Sequence, residues 1–406
     1  MISWEYPPVV VGGLGRHVHS LACHLAQAGH EVVVLARQPT GTDASTHPST
    51  DTMVERVRVI AVAEDPAHLT FTEDLMAWTL AMGHAMVRAG LALGRTGWSP
   101  DVVHAHDWLV AHPAIALAEH FGVPLIATLH ATEAGRHSGW ISERLNRQVH
   151  SVEWWLARST DSIITCSAAM RAEVAELFGP KLGPITVLHN GIDLDHWPSK
   201  PRAERTDDPL LLFLGRLEWE KGIQDAIAAL ARVRRTHPGT RLVVAGEGSK
   251  LAWLQEEARR HRVLRAVTFT GHLNGAQLLS QLARADAVVL PSRYEPFGIV
   301  ALEAAAAGAP LVASSAGGLG EAVLDGVTGL SFTPGDVAGL TAAVQAVLDD
   351  PRAANARAAQ AKVRLSIDFD WSKIAAATAD VYARAHRGQR SALERPAVPQ
   401  RPLPGR

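Results

Sequence analysis

The sequence predicts an α/β protein built from two parallel-sheet units in tandem. Three observations carry that expectation. The chain has 406 residues, more than one hydrophobic core usually organises, so two domains are expected. Apolar runs of strand length alternate with helix-like segments almost throughout, the pattern of βα units with helices on both faces of a sheet. That alternation breaks once, at a polar proline-containing stretch, and then starts afresh.

In the first unit the apolar runs fall at 32–36, 57–62, 102–104, 125–129, 162–165 and 186–189. A strand should also precede the first glycine turn, yet only Met1 and Ile2 stand ahead of Ser3-Trp4-Glu5-Tyr6, so that strand is expected to be short or cut. The second set lies at 210–214, 242–245, 267–270, 287–290, 310–313 and 329–332. Between the sets, Asn190-Gly191-Ile192-Asp193 is a turn signal, and the polar stretch from Trp197 to Pro209 contains Pro198, Pro201 and Pro209. The boundary is placed there, giving domains 1–196 and 197–370. An Ala/Arg-rich helix is expected after Pro351. A last amphipathic helix from Trp371 to about His386 would complete the first domain, and 387–406, mixing Arg and Pro without apolar period, is expected to be disordered.

Composition narrows the function classes. A net charge of -2 carries no polyanion signature, which argues against nucleic acid as a partner. Cys23 and Cys166 show no metal or disulfide spacing and read as small core residues of a cytoplasmic protein. No apolar stretch reaches spanning length, so no stable membrane insertion is expected.

Gly12-Gly13-Leu14-Gly15 precedes a helical segment, where small residues let backbone N–H groups approach an anion. By itself this turn is weak evidence. It lacks the third glycine of a dinucleotide fingerprint, and the following strand ends in Leu35-Ala36-Arg37 without the acidic residue that would hold a nicotinamide cofactor's ribose. Arg216 and Lys221 stand just past the first strand of the second unit, where open α/β sheets bind ligands, and two cations there suit a diphosphate. Glu295-Pro296-Phe297-Gly298-Ile299-Val300 leads into a helix carrying Glu303. Free N–H groups near Gly298, Ile299 and Val300 would serve phosphate oxygens. Eight residues of helix would separate the two carboxylates by roughly 12 Å, too far for the roughly 5 Å pair of a retaining glycosidase, so they need different roles.

Together these motifs resemble the retaining GT-B glycosyltransferases of the glycogen synthase and mannosyltransferase group. Glu295 through Glu303 looks like that group's E-x7-E motif, Arg216 and Lys221 its diphosphate pair, and Gly12 to Gly15 its first-domain loop. His104-Ala105-His106-Asp107-Trp108 is similar to a bacterial glycogen synthase segment, Asn190 to Asp193 to the inter-domain turn, and Ala316-Gly317-Gly318-Leu319-Gly320-Glu321 to the late glycine loop. Segments around Ser3 to His19, Met76 to His84 and Thr128 to His137 resemble, more closely, the mycobacterial α-1,4-glucosyltransferases of methylglucose lipopolysaccharide and glycogen synthesis.

The resemblance implies a GT-B fold, two Rossmann-like domains facing a cleft. It implies transfer of glucose from ADP-glucose or UDP-glucose to an α-glucan or glucosylglycerate acceptor. A GDP-mannose enzyme, a sugar-nucleotide 2-epimerase, a phosphorylase and a non-catalytic glucan-binding relative are the alternatives. Glu295 and His130 would then meet the donor sugar, Glu303 the ribose, Arg216 and Lys221 the diphosphate, with Asp107 near sugar or acceptor. Gly13, Gly15, Phe297, Gly298, Ile299 and Val300 would line the donor site. No cofactor is expected.

His17-x-His19 and His104-x-His106 have the spacing of metal pairs, but no carboxylate cluster beyond Asp107 accompanies them, so no required metal is expected. Trp140, Trp154 and Trp155 flank a helical segment; burial or a subunit contact is expected over an acceptor platform. The segment 75–93, with Met76, Met82 and Met86, is expected to pack in the core or against another subunit of a homo-oligomer.

Overall fold

The computed structural model describes residues 1–10, 12–38, 48–63, 68–71, 73–194, 197 and 208–393, the side chains up to residue 388. The first sheet comprises β1 (Ile2–Ser3), β2 (Val33–Arg37), β3 (Thr50–Val54), β4 (Val57–Val62), β5 (Val103–His106), β6 (Leu125–Leu129), β7 (Ser162–Thr165) and β8 (Ile185–Val187). Its helices are α1 (Gly13–Gln27), α2 (Leu75–Gly94), α3 (Ala111–Phe121), α4 (Glu133–Arg136), α5 (Arg144–Ser159) and α6 (Ala168–Phe178). The second sheet comprises β9 (Leu210–Leu214), β10 (Arg241–Ala245), β11 (Val267–Gly271), β12 (Ala287–Leu290), β13 (Leu311–Ser314) and β14 (Leu330–Phe332). With it go α7 (Ile223–Val233), α8 (Leu251–Arg260), α9 (Gly275–Arg284), α10 (Ile299–Ala306), α11 (Leu319–Ala322), α12 (Val337–Asp349) and α13 (Pro351–Asp368), and α14 (Trp371–Leu393) ends the described chain.

The eight-stranded sheet runs β3-β4-β2-β1-β5-β6-β7-β8, and the six-stranded sheet β11-β10-β9-β12-β13-β14. The second is parallel throughout and has the doubly wound order whose switch point lies between its first and fourth strands, here β9 and β12. Both sheets are buried because helices cover their faces, which explains near-continuous apolar strands such as Leu-Leu-Leu-Phe-Leu in β9. The first strand exists despite its brevity: Ile2 sits in register with both Leu35 and Ala105, so β1 is central.

Two features depart from expectation. Strand β3 has no apolar period and is exposed along its length; it joins as an antiparallel edge on β4, through a turn in which Glu55 (φ 49°) and Arg56 (φ 67°) are both left-handed. Helix α14 continues to Leu393, past the expected end at His386, because Arg, Gln, Ala and Leu beyond that point are strong helix formers. The boundary prolines Pro198 and Pro201 and the rest of the tail, 394–406, lie outside the described residues.

Helix α14 returns to the first unit. Trp371, Ile374 and Ala375 join the core of α1, β2 and β4, and His104, buried in β5, holds α14 to the sheet with Nδ1 2.7 Å from Tyr382 Oη while its Nε2 meets Thr128 Oγ1 at 2.7 Å. Where the chain leaves and re-enters, Ile192 N–H donates to Phe369 O at 3.0 Å. Helix α2 buries Met82 and Met86 in the core.

Candidate active site

The loops after β9 and β12 flank the switch point of the second sheet and are tied to each other. The β9 loop ends in a short turn, Trp219–Lys221. Arg293, after β12, forks onto Asp225 at 2.9 and 2.8 Å, and its N–H donates to Glu220 O at 2.7 Å. This brace aims Lys221 across the gap, so that Nζ donates to Glu295 Oε2 at 2.7 Å, and Ser292 Oγ donates to the same oxygen at 3.1 Å. Arg216 points outward, half-exposed, and donates to Glu220 Oε1 at 3.0 Å.

Gly298 holds φ 96° ahead of α10, a conformation that favours glycine. Gly298, the residue ahead of α10, has no side chain with which to cap it, so the N–H groups at the very start of that helix are open to an anion. Phe297 is buried, stacked against His189 at 5.4 Å between ring centres and packed on Phe369; it can meet a ligand only through its backbone. Glu303 is buried one turn into α10 and forms an ion pair with Arg16 of α1, from the opposite unit. Burial raises its carboxyl above the usual range while Arg16 pulls it back.

On the opposing face, the glycine turn after β1 and the ends of β5, β6 and β7 meet this segment. A side chain at Gly13 would bring its Cβ within 2.8 Å of Ile299 Cδ1, so glycine there lets the two units approach. Gly15 packs beneath, beside Glu5 and Val9. Thr132 N–H donates to Tyr294 Oη at 3.3 Å, and Ser167 Oγ donates to Pro296 O at 2.7 Å.

Asp107 follows β5 with φ 63°, a strained conformation for a residue with a side chain. Its carboxylate is turned inward and accepts the His130 N–H at 2.7 Å; burial pushes it up to about 6. The His130 ring lies 4.6 Å from His17 between centres, and its Nε2 is 3.2 Å from His106 Nδ1. Burial holds His130 down to about 3, so the imidazole is neutral at ordinary pH. The site therefore pairs a neutral, hydrogen-bonding wall with a cationic, helix-terminated wall, an arrangement suited to holding a sugar on one side and its diphosphate on the other.

The two His-x-His segments differ. On helix α1 residues two apart face opposite ways, so His17 turns to His106 and His130 while His19 turns to Cys23 and Glu55. On strand β5 His104 and His106 share a face, 4.2 Å apart between ring centres, and both His104 nitrogens are engaged by Tyr382 and Thr128. One expectation is corrected. Trp140 (73% exposed) and Trp154 (44%) are not core residues; Trp154 carries Arg158 over its face at 4.7 Å, and only Trp155 packs inward, against His112.

Residues 198–364 match the family described as Glycosyl transferases group 1, and residues 11–196 match Glycosyltransferase Family 4. A glycogen synthase of Mycobacterium tuberculosis is 63% identical over 410 aligned positions, covering 100% of this chain and 99% of that protein. The chain is a glycosyltransferase of the glycogen synthase family. An alpha-maltose-1-phosphate synthase of the same organism is 29% identical, with 95% and 98% coverage. Among solved structures, a sucrose-phosphate synthase from Thermosynechococcus elongatus superposes on this glycosyltransferase with TM-score 0.80 at 25% identity, covering 95% and 98% of the two chains. The catalytic domain of starch synthase IV from Arabidopsis thaliana, bound to ADP and acarbose, shares the fold (TM-score 0.72, 19% identity, 95% and 98% coverage). The fold is GT-B. Among the described residues, no helix of this glycosyltransferase is long and apolar enough to cross a membrane.

Sequence reasoning assigned no site role to three groups that hold the glycosyltransferase's two walls together. Arg16 reaches Glu303; Tyr294 Oη donates to Glu173 Oε1 at 3.0 Å; and Glu321 accepts the Ala168 and Ala169 N–H groups at the start of α6, both at 3.0 Å. Each contact joins residues more than a hundred positions apart, and no local pattern signals such a pair.

Proposed function

We propose that the protein transfers glucose, with retention of configuration and without a metal, from ADP-glucose or UDP-glucose to the end of an α-1,4-glucan or to a glucosylglycerate-type acceptor in the cytoplasm. The observation that carries this reading is the meeting of Lys221 with Glu295 beside the uncapped α10 N-terminus, opposite His130. In this reading the unit 197–370 binds the donor, and 1–196, completed by 371–386, presents the acceptor.

The chemistry follows from the residue types. As the bond between the anomeric carbon and the diphosphate oxygen breaks, negative charge grows on the leaving group. Arg216, Lys221 and the N–H groups of Gly298, Ile299 and Val300 stabilise that charge more in the transition state than before it. The departing phosphate oxygen takes the proton of the acceptor hydroxyl, which enters on the same face, so no separate base is needed. Glu295 fixes the sugar hydroxyls, neutral His130 donates or accepts a hydrogen bond near the reacting carbon, and Glu303 binds the ribose once Arg16 yields it. Asp107 acts through the backbone of His130, as a positioning residue.

The test is a donor and acceptor panel: ADP-glucose, UDP-glucose and GDP-mannose, each with and without a maltooligosaccharide or glucosylglycerate. Acceptor-dependent release of nucleoside diphosphate from a glucose donor is the expected result. Turnover of GDP-mannose alone, interconversion of the sugar nucleotide without acceptor, or no release with any pair would overturn it.

A further inference from the structure

Away from the cleft, on the outer side of α1, three side chains of different chemistry converge. His19 and Cys23 lie one turn apart on the same face of the helix, and Glu55 reaches them from the β3–β4 turn. His19 Nε2 is 3.0 Å from Glu55 Oε2, Cys23 Sγ is 3.1 Å from the same oxygen, and Sγ and Nε2 are 3.6 Å apart. The three potential ligand atoms thus form a compact triangle, with one atom from each residue.

The triangle is close to the size that a tetrahedral ion demands. Zinc bonds of about 2.3 Å to sulfur and about 2.0–2.1 Å to nitrogen and oxygen place neighbouring ligand atoms about 3.3–3.6 Å apart. The Sγ–Nε2 edge already has that length, and the two edges to Glu55 would open by about 0.3–0.5 Å. The donor set, one thiolate, one imidazole and one carboxylate, suits zinc rather than the all-oxygen preference of calcium or magnesium. His19 is one-third exposed and Glu55 lies mostly in solvent, which leaves an open side for water as a fourth ligand.

A second observation points the same way. The Tyr6 ring stands beside His19 at 5.6 Å between centres. Tyr6 is 3% exposed, yet its hydroxyl has no hydrogen-bond partner of normal geometry among the described residues. A buried phenol is normally satisfied. A metal-bound thiolate or the fourth-ligand water would accept a hydrogen bond from it. The two-residue β3–β4 turn, left-handed at both Glu55 and Arg56 as such a hairpin requires, sets the carboxylate beside the helix.

We propose that His19 Nε2, Cys23 Sγ and Glu55 Oε2 bind one zinc-class divalent cation, with water completing the shell. The ion would clamp α1 to the edge hairpin of the first sheet. Because α1 also carries Gly13, Gly15, Arg16 and His17 at its other end, the clamp fixes the helix that faces the donor unit. It is distinct from the His17, His106 and His130 group, which offers nitrogen only.

The full chain, stripped with a chelator and dialysed, is titrated with cobalt(II) and then zinc(II). One equivalent of cobalt is expected, with a near-ultraviolet sulfur-to-metal charge-transfer band, intense visible bands of four-coordinate cobalt, and bleaching by zinc. Cys23→Ser should abolish the charge-transfer band. His19→Gln and Glu55→Gln, both at partly exposed positions and so safe for the fold, should each weaken binding at least about tenfold. His17→Gln should leave the cobalt charge-transfer band and the binding stoichiometry unchanged. Absence of the band in the unmodified protein, binding that survives all three substitutions, or binding lost in His17→Gln would overturn the proposal.

Discussion

Lys221 and Glu295, 74 residues apart, meet as an ion pair at 2.7 Å on opposite sides of the switch point of the second sheet. The cation is thus held in place before any phosphate arrives, and a donor's diphosphate has only to draw it from one anion to another. Each charge-assisted hydrogen bond is worth about 1.5–3 kcal/mol, so Lys221→Ala is expected to lower nucleoside diphosphate release by about one to two orders of magnitude. Glu295→Ala should do the same. Circular dichroism of both variants should match the parent, and full activity in either would remove that residue from the mechanism.

Glu303 has a different task from Glu295, since its partner is Arg16 and its place is inside α10. An interaction with the ribose, remote from the reacting carbon, binds ground and transition states alike. Glu303→Gln should therefore raise the donor KM about tenfold while kcat stays close to the parent value. Steady-state kinetics over a donor concentration series decide it; a fall in kcat at unchanged KM would place Glu303 at the reacting centre instead.

Two glycines of the cleft should differ sharply in tolerance. At Gly13 an added Cβ meets the flexible tip of Ile299, whereas at Gly318 it would lie 2.1 Å from the Pro296 carbonyl oxygen. Gly13→Ala should retain measurable transfer and recover further in the double variant with Ile299→Ala. Gly318→Ala must displace the Glu295–Gly298 turn and should reduce activity more than tenfold, on the order of the loss of a charged contact. Equal activity of the two single variants would show that the turn adapts.

Glu153, 3% exposed, has its carboxyl pushed up to about 8 by burial. A raised acid contributes stability that is complete below its unfolded value, near 4.5, and is lost as pH rises through about 8; between those values the loss is about 1.4 kcal/mol per pH unit. Buried His17, His104 and His106 act in the opposite sense, since burial holds them well below their ordinary value and they destabilise the fold as pH falls below about 6.5. Glu153→Gln keeps the acceptor for the Glu133 N–H and removes only the ionisation. Its melting temperature should gain on the parent between about pH 6 and about pH 8. A constant difference across that range would contradict the assignment.

The sequence made the repeated βα architecture legible because buried parallel strands are continuous apolar runs: Leu210 to Leu214 and Leu125 to Leu129 can hardly be anything else. It also exposed Arg216, Lys221, Glu295 and Glu303, whose order along the chain matches a known pattern. Strand β3 was hidden because an exposed antiparallel edge needs no apolar face, and Thr-Asp-Thr-Met-Val shows none. Trp140 and Trp154 misled because aromatic size argues for burial, while Trp140 lies in the loop ahead of helix α5 and Trp154 on that helix's outer face, both exposed. The braces that close the site, Arg16 to Glu303 and Tyr294 to Glu173, are tertiary relations between residues that carry no mark in their own neighbourhoods.

The hydrogen bond from Ile192 to Phe369 means that the outgoing and returning chains cross side by side, and Gly191 leaves room for Trp371 at that crossing. Such a molecule cannot be halved at its apparent midpoint. A fragment ending near 196 would carry the first sheet without α14, leaving the α1 side of its core uncovered and the buried His104 without Tyr382. The two units are thus separate in architecture yet interdependent in synthesis: the domain begun first is finished last, after the whole of its neighbour has been made.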